Sequence, residues 1–162
     1  MDIYTIWVAV RRRMATFCLR LRGVKIGKGS VVGLRVDIPF NPSQVEIGAR
    51  CFISDGCTFY CNNHNGKKAR IVIGDDVVIN KSVVIDCAEL VEIGAGSRIG
   101  VGVFITDHQY DFHSKKTLTE STIVTAEISI GKNVYIGANS TLLGRVFIPE
   151  NTVIAAGSRL DI

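Results

Sequence analysis

Three histidines, His64, His108 and His113, are the side chains of this sequence best suited to chemistry. A neutral imidazole, with a reference pKa of about 6.5, accepts a proton near neutral pH and also ligates metal ions. His108 follows Asp107 and is followed by Gln109, Tyr110 and Asp111. That polar run suits a site, although a solvated loop would look the same. His64 lies in Asn62-Asn63-His64-Asn65-Gly66, which reads as a solvated turn. The cysteines offer less. There are five, an odd number, and no CxxC pair occurs, which weighs against zinc fingers and redox motifs. A reducing cytosol fits them best.

The elements that must position His108 are written in a six-residue beat. Ile, Leu or Val recurs as Ile26, Val32, Ile38; Ile47, Ile53, then Phe59; Ile73, Ile79, Ile85; Ile93, Ile99, Ile105; and Ile130, Ile136, Leu142, Ile148, Ile154, Leu160. Six is a spacing of stacked β-coils rather than of a helix or a simple strand. The anchors fall in threes, so one coil has three short sides. A glycine often follows the anchor, which we read as serving corners of positive φ. A second inward position, four residues after each anchor, holds small or β-branched residues such as Ser30, Cys51, Cys57, Val77, Ser97 and Val134. The beat slips in the third hexad of a coil, at Pro42, Asn63, Glu89 and Gln109. Insertions therefore leave the solenoid along one edge. The longest is expected at about 111–129, and long structured insertions on a rigid scaffold tend to be functional.

Residues 1–23 precede the solenoid, which occupies 24–162 in this reading. Ile3, Ile6, Trp7, Val10, Met14, Phe17, Cys18 and Leu21 share one face at helical spacing, with Arg12 and Thr16 opposite. The charges prevent a membrane span. Two roles stay open: capping the open end of the solenoid with the apolar stripe, the usual fate of such a stripe, or peripheral membrane contact of residues 3–22 on an anionic surface. Net charge is +4, much of it from Arg11, Arg12, Arg13, Arg20 and Arg22, so the solenoid is close to neutral and no nucleic-acid surface is expected.

The hexads, the segment Ile105-Thr-Asp-His108-Gln-Tyr-Asp-Phe with the loop after it, and Ile130-Gly-Lys-Asn-Val-Tyr-Ile-Gly-Ala138-Asn resemble the hexapeptide-repeat acyltransferases, in particular the galactoside and maltose acetyltransferase-like sugar O-acetyltransferases and their polysaccharide-modifying branch. The resemblance covers about residues 24–160. It implies an all-β solenoid, a left-handed parallel β-helix of about six coils with an N-terminal amphipathic helix and one long extruded loop. It implies that His108 is a general base, that Asn80 contacts the acceptor, and that backbone groups at Ala138 and Ala156 touch the pantetheine arm of coenzyme A. Acetyl-CoA would be the acyl donor, with no metal. A homotrimer with sites between subunits is implied too, because Asn80, Ala138 and Ala156 lie near one edge of the prism and His108 near another. The expected location is cytoplasmic, at the inner membrane if the helix binds it. Relatives often continue past the last coil with a basic tail that helps hold the coenzyme phosphates. This sequence stops at Asp161-Ile162, so that tail is absent, lies outside these residues, or is replaced by Arg145 or Arg159. Leu143-Gly144 stands where relatives have Pro-Gly.

Two rivals remain. The hexad-repeat carbonic anhydrases bind zinc through three histidines, two of them spaced like His108 and His113. Here, however, Gln109-Tyr110-Asp111-Phe112 reads as leaving the solenoid. A structural solenoid without catalysis is the other rival.

Overall fold

Strands of two to four residues recur with the period of the anchors and pair in parallel with the strand one coil away. The computed structural model describes residues 3–111 and 122–161. One six-stranded sheet begins at Lys25–Ile26 and ends at Val146–Ile148, and a second begins at Val31–Val32 and ends at Val153–Ile154. The third has five strands, from Thr58–Cys61 to Arg159–Asp161, and an isolated bridge between Asp37 and Thr58 completes its first level. The result is a parallel β-helix of six coils. Register is strict: Ile26 pairs with Ile47, Ile47 with Ile73, Ile73 with Ile93, Ile93 with Ile130 and Ile130 with Ile148.

The anchors fill the interior. Ile53, Phe59, Ile79, Ile85, Ile99, Ile105 and Leu142 have no exposed surface, and each contributes on the order of 1.5–3 kcal/mol by burial. The smaller inward residues also satisfy backbone groups. The Ser30 hydroxyl donates to the Gly48 carbonyl (2.6 Å) and accepts from the Cys51 N–H (2.9 Å). Cys51 and Cys57 donate their thiols to the Gly74 and Asn80 carbonyls at 3.0 and 3.1 Å.

The glycines after the anchors have a different cause from the expected one. Gly27, Gly48, Gly74, Gly94, Gly100, Gly131 and Gly137 are not at positive φ. A Cβ at Gly27 would lie 2.6 Å from Ala49 N, and one at Gly100 2.5 Å from Ala138 N, both backbone atoms of the next coil. Contact between coils excludes the side chain. Positive φ falls two residues later, at Gly29, Arg50, Asp76, Gly96, Gly102, Asn133 and Asn139.

The helix spans Ile3–Leu21 and packs against the first coil, but with the opposite face from the expected capping stripe. Thr16 and Leu19 are buried, whereas Trp7, Val10, Met14, Phe17 and Leu21 are exposed. The polar side wins because it has partners at the open end. Thr16 Oγ accepts the Val32 N–H (2.9 Å) and donates to Arg12 O (2.8 Å). Arg12 pairs with Asp55 (3.2 Å) and lies over the Phe52 ring. Arg20 donates to the carbonyls of Ile26 and Gly27, and Arg22 to that of Ile38. Edge groups of the first coil are thus covered by side chains that can hydrogen-bond, which an apolar stripe cannot do.

All departures from the beat leave by one edge, between the third and first faces. They include the short 3-10 turn Pro42–Gln44 and the turn closed by a bridge between His64 and Lys67. The largest departure begins at His108. Strands His108–Tyr110 and Ile123–Thr125 form an antiparallel hairpin, pairing His108 with Thr125 and Tyr110 with Ile123. Glu127–Ile130 is already a strand of the first sheet, so the excursion runs earlier than the expected 111–129. Its tip, residues 112–121, with His113, lies outside the described residues.

Candidate active site

The hairpin has to be tied to the solenoid where it leaves, and Asp107 does this. The strand alternation that points Ile105 inward also points Asp107 inward, and its side chain is fully buried. A buried carboxylate needs compensating hydrogen bonds, and this one has a full set. It accepts backbone N–H groups from Ala88 (2.7 Å), Glu89 (2.8 Å) and Leu90 (2.9 Å), and the Cys87 thiol at 3.3 Å. Its own carbonyl accepts the Ala126 N–H at 2.7 Å. One residue therefore anchors the turn of the coil below and the base of the hairpin above.

Asp107 also orients His108. Its Oδ1 lies 3.1 Å from His108 Nδ1, with Thr106 Oγ1 3.3 Å from the same nitrogen. A carboxylate can only accept here, so Nδ1 carries the hydrogen and Nε2 keeps a lone pair. Nε2 lies 3.8 Å from Asp86 Oδ2. The imidazole is half-buried and opens on a groove of about 380 Å³ lined by Asp86, Phe104, Thr106, Tyr110, Ile123 and Leu143.

The electrostatics follow from this packing. The hydrogen bond to Asp107 raises the His108 pKa above its ordinary value, burial opposes it, and the Asp86 charge adds to the rise. Burial would push the Asp107 carboxyl up, but His108 and the backbone N–H groups outweigh it and hold the carboxyl below the usual range. Asp86 moves the other way: burial raises it, against the pull of His108. A proton acceptor, a buried anion behind it and a second carboxylate beside it form a site for removing a proton from a bound hydroxyl.

The other expected residues lie elsewhere. Asn80 sits at the corner between the second and third faces, where its side-chain amide donates to the Ile99 carbonyl (3.0 Å). Its backbone is not at positive φ. Ala138 and Ala156 stack at the same corner, with Gly157 N donating to Ala138 O (2.9 Å). Ala156 is exposed. His108 stands at the next corner, separated from these residues by the width of the third face, roughly 15–20 Å by strand rise. One protomer does not bring the two sets together. Among the described residues no three His, Cys, Asp or Glu side chains are placed to hold a metal ion, and the three-histidine arrangement needs His113, outside them.

Two participants, Asp86 and Thr106, were not singled out from the sequence, and the role of Asp107 was not seen. Each had a signal. Asp86 and Thr106 directly follow the anchors Ile85 and Ile105, which pair across coils, so the two side chains stack in one outward column. Asp107 stands two residues past its anchor, where the coils below carry Cys61 and Cys87. A charge in that inward column marks a special position.

Comparison with known proteins agrees with this architecture. Residues 127–161 match the hexapeptide repeat of succinyl-transferase. WbbJ of Escherichia coli K12, named as a lipopolysaccharide biosynthesis O-acetyl transferase, is 35% identical over 111 residues, covering 52% of this chain and 56% of the relative. In its last coils and in this relative the chain is similar to the hexapeptide-repeat acyltransferases. The bifunctional protein GlmU of Clostridium botulinum is 35% identical over 103 residues, or 59% of this chain. This chain spans about a fifth of GlmU and just over half of WbbJ. In three dimensions the chain matches AntD, an N-acyltransferase from Bacillus cereus solved with dTDP-4-amino-4,6-dideoxyglucose and coenzyme A. That match has a TM-score of 0.77 at 21% identity over 90% of this chain and 78% of AntD. It extends over most of the fold, a left-handed β-helix.

Proposed function

We propose that this protein is an acetyl-CoA-dependent O-acetyltransferase of the hexapeptide-repeat type, acting on a hydroxyl of a sugar or bacterial surface polysaccharide precursor, with His108 as general base. The observation that carries the proposal is the orientation of His108: Nδ1 held by buried Asp107, and Nε2 free to accept a proton at the groove. The relatives support the substrate classes. WbbJ is named for O-acetyl transfer, and AntD was solved with a sugar nucleotide and coenzyme A.

The acceptor hydroxyl enters the groove and hydrogen-bonds to His108 Nε2. Its proton moves to Nε2 as its oxygen attacks the thioester carbonyl, and the imidazolium is stabilised by Asp107 behind and Asp86 beside it. The tetrahedral intermediate collapses, the C–S bond breaks, and the thiolate of coenzyme A recovers the proton from Nε2–H. No covalent enzyme intermediate is required.

The donor lies along the corner of Ala138 and Ala156, and Asn80 contacts the acceptor. That corner is one face away from His108, so the complete site needs the corner of a neighbouring subunit, and the working form is a homotrimer with three sites between subunits. Arg145 is the better candidate for the coenzyme phosphates, because Arg159 pairs with Asp161 at 2.8 Å. The enzyme works in the cytoplasm, where acyl-CoA is available and its five free cysteines stay reduced.

The test is a transfer screen with the full chain, acetyl-CoA and a panel of sugars and sugar nucleotides, following release of the coenzyme thiol. His108→Ala should lower the rate by roughly 10²–10⁴ while the chain still folds and keeps its oligomeric state. Transfer that survives the substitution refutes the assignment, and transfer only to amines redirects it to N-acylation.

A further inference from the structure

The helix Ile3–Leu21 shows the solvent a face that the solenoid does not use. Ile6, Trp7, Val10, Met14, Phe17 and Leu21 are exposed, from 45% at Ile6 to 72% at Leu21. An apolar patch of this kind on one helix marks an interaction surface. Charge indicates what covers it. Residues 3–36 hold eight Lys and Arg and no Asp or Glu. The other eleven basic residues, nineteen less these eight, face fifteen acidic ones. With Asp2 counted at its own end, the molecule is polarised, about +7 at the helix end and −3 over the rest.

We infer that this face docks on an anionic phospholipid bilayer. The helix would lie in the plane of the interface, its apolar residues among the acyl chains and Arg11 and Arg13 at the phosphates. Arg11 already stacks on the Trp7 ring at 4.3 Å, the pairing of an amphipathic aromatic with a cation that suits the headgroup layer. Beside the stripe a cleft of about 730 Å³ is lined by Arg11, Arg13 and Lys81, with Asp55 the acidic member, and it offers cations to a headgroup phosphate. The helix lies on the surface rather than spanning it: among the described residues no helix is long and apolar enough to cross a membrane. The acidic part of the solenoid then faces away from the lipid. A second copy of this helix is a poorer occupant, because it would bring the same eight positive charges against these.

Flotation of the full chain with lipid vesicles tests this. The protein should float with vesicles of phosphatidylcholine plus phosphatidylglycerol, stay behind with phosphatidylcholine alone, and be released by high salt. Arg11→Gln with Arg13→Gln should weaken partitioning roughly 25-fold, about fivefold for each charge. Trp7→Ser with Phe17→Ser should abolish it, and should leave the thermal midpoint and transfer to a soluble acceptor nearly unchanged, since both side chains are exposed. Two results overturn the inference. One is absence of flotation on the anionic vesicles. The other is a serine double variant that still floats but breaks the oligomer, which would assign the stripe to a contact between subunits. Neither result bears on His108, whose test is transfer activity.

Discussion

Replacing Asp107 by Asn probes both the fold and the proposed chemistry. The carboxylate accepts three backbone N–H groups and faces His108 Nδ1. An amide has only one oxygen. If that oxygen takes the place of Oδ1, it serves Ala88 and His108, and the amide NH₂ confronts the N–H groups of Glu89 and Leu90. Two buried donors then lose their acceptor, at about 1–3 kcal/mol each, or about 2–6 kcal/mol together. If the oxygen takes the place of Oδ2, Glu89 and Leu90 are served, but the NH₂ faces Ala88 N and His108 Nδ1. The imidazole then accepts at Nδ1 and carries its hydrogen on Nε2, the wrong tautomer for a base. Either outcome lowers stability, and the second also removes the proton acceptor. We expect the thermal midpoint to fall by about 5–15 °C and, where the second orientation is taken, the rate to fall at least about a hundredfold. In any residual activity, the pH at which the rate rises should move down, because in either orientation the carboxylate that raises the His108 pKa is gone. Calorimetry and a pH–rate profile measure these effects. A variant with native stability and an unshifted profile would show that Asp107 neither anchors the turn nor orients His108.

The pair also gives the stability a characteristic pH dependence. The folded pKa of His108 is raised, so its contribution is complete below about 6.5 and is lost as pH rises through the folded value. The folded pKa of Asp107 is lowered, so its contribution is complete above the ordinary carboxylate range and is lost as pH falls through the folded value. Thermal midpoints from acid to alkaline pH should therefore fall on the alkaline side more in the native chain than in His108→Gln, while activity rises over the same interval. At the helix, Thr16→Val keeps the shape but leaves the Val32 N–H without its acceptor, and chemical denaturation should show a loss of about 1–3 kcal/mol. In the coils, Gly100→Ala places a methyl 2.5 Å from Ala138 N and should cost about 1–3 kcal/mol. Gly66→Ala meets nothing within 4 Å and should cost less, through its positive φ alone.

The coils were legible because each anchor is buried independently and the period repeats many times. Ile105 and Ile136 need no knowledge of their neighbours to be placed inside. The errors arose where contact between distant segments decides. The glycines are explained by backbone of the following coil, such as Ala138 above Gly100, and local conformation suggested a different cause. The helix presented the reverse face because Thr16 and Arg12 have partners at Val32 and Asp55, which the apolar stripe could not reveal. His108 was found from its place before an insertion. Asp86 was not, because its place beside His108 depends on the register between adjacent coils.

The close approach of glycine to the backbone above it also fixes how a chain of this kind can change length. Each level rests on the next through contacts with no slack, so a single added residue on a face would put every later anchor out of step. Whole storeys can be added or removed, and the edge that carries the hairpin can accept residues in any number. New acceptor specificity is therefore expected to come from that edge, and new height from duplication of entire turns.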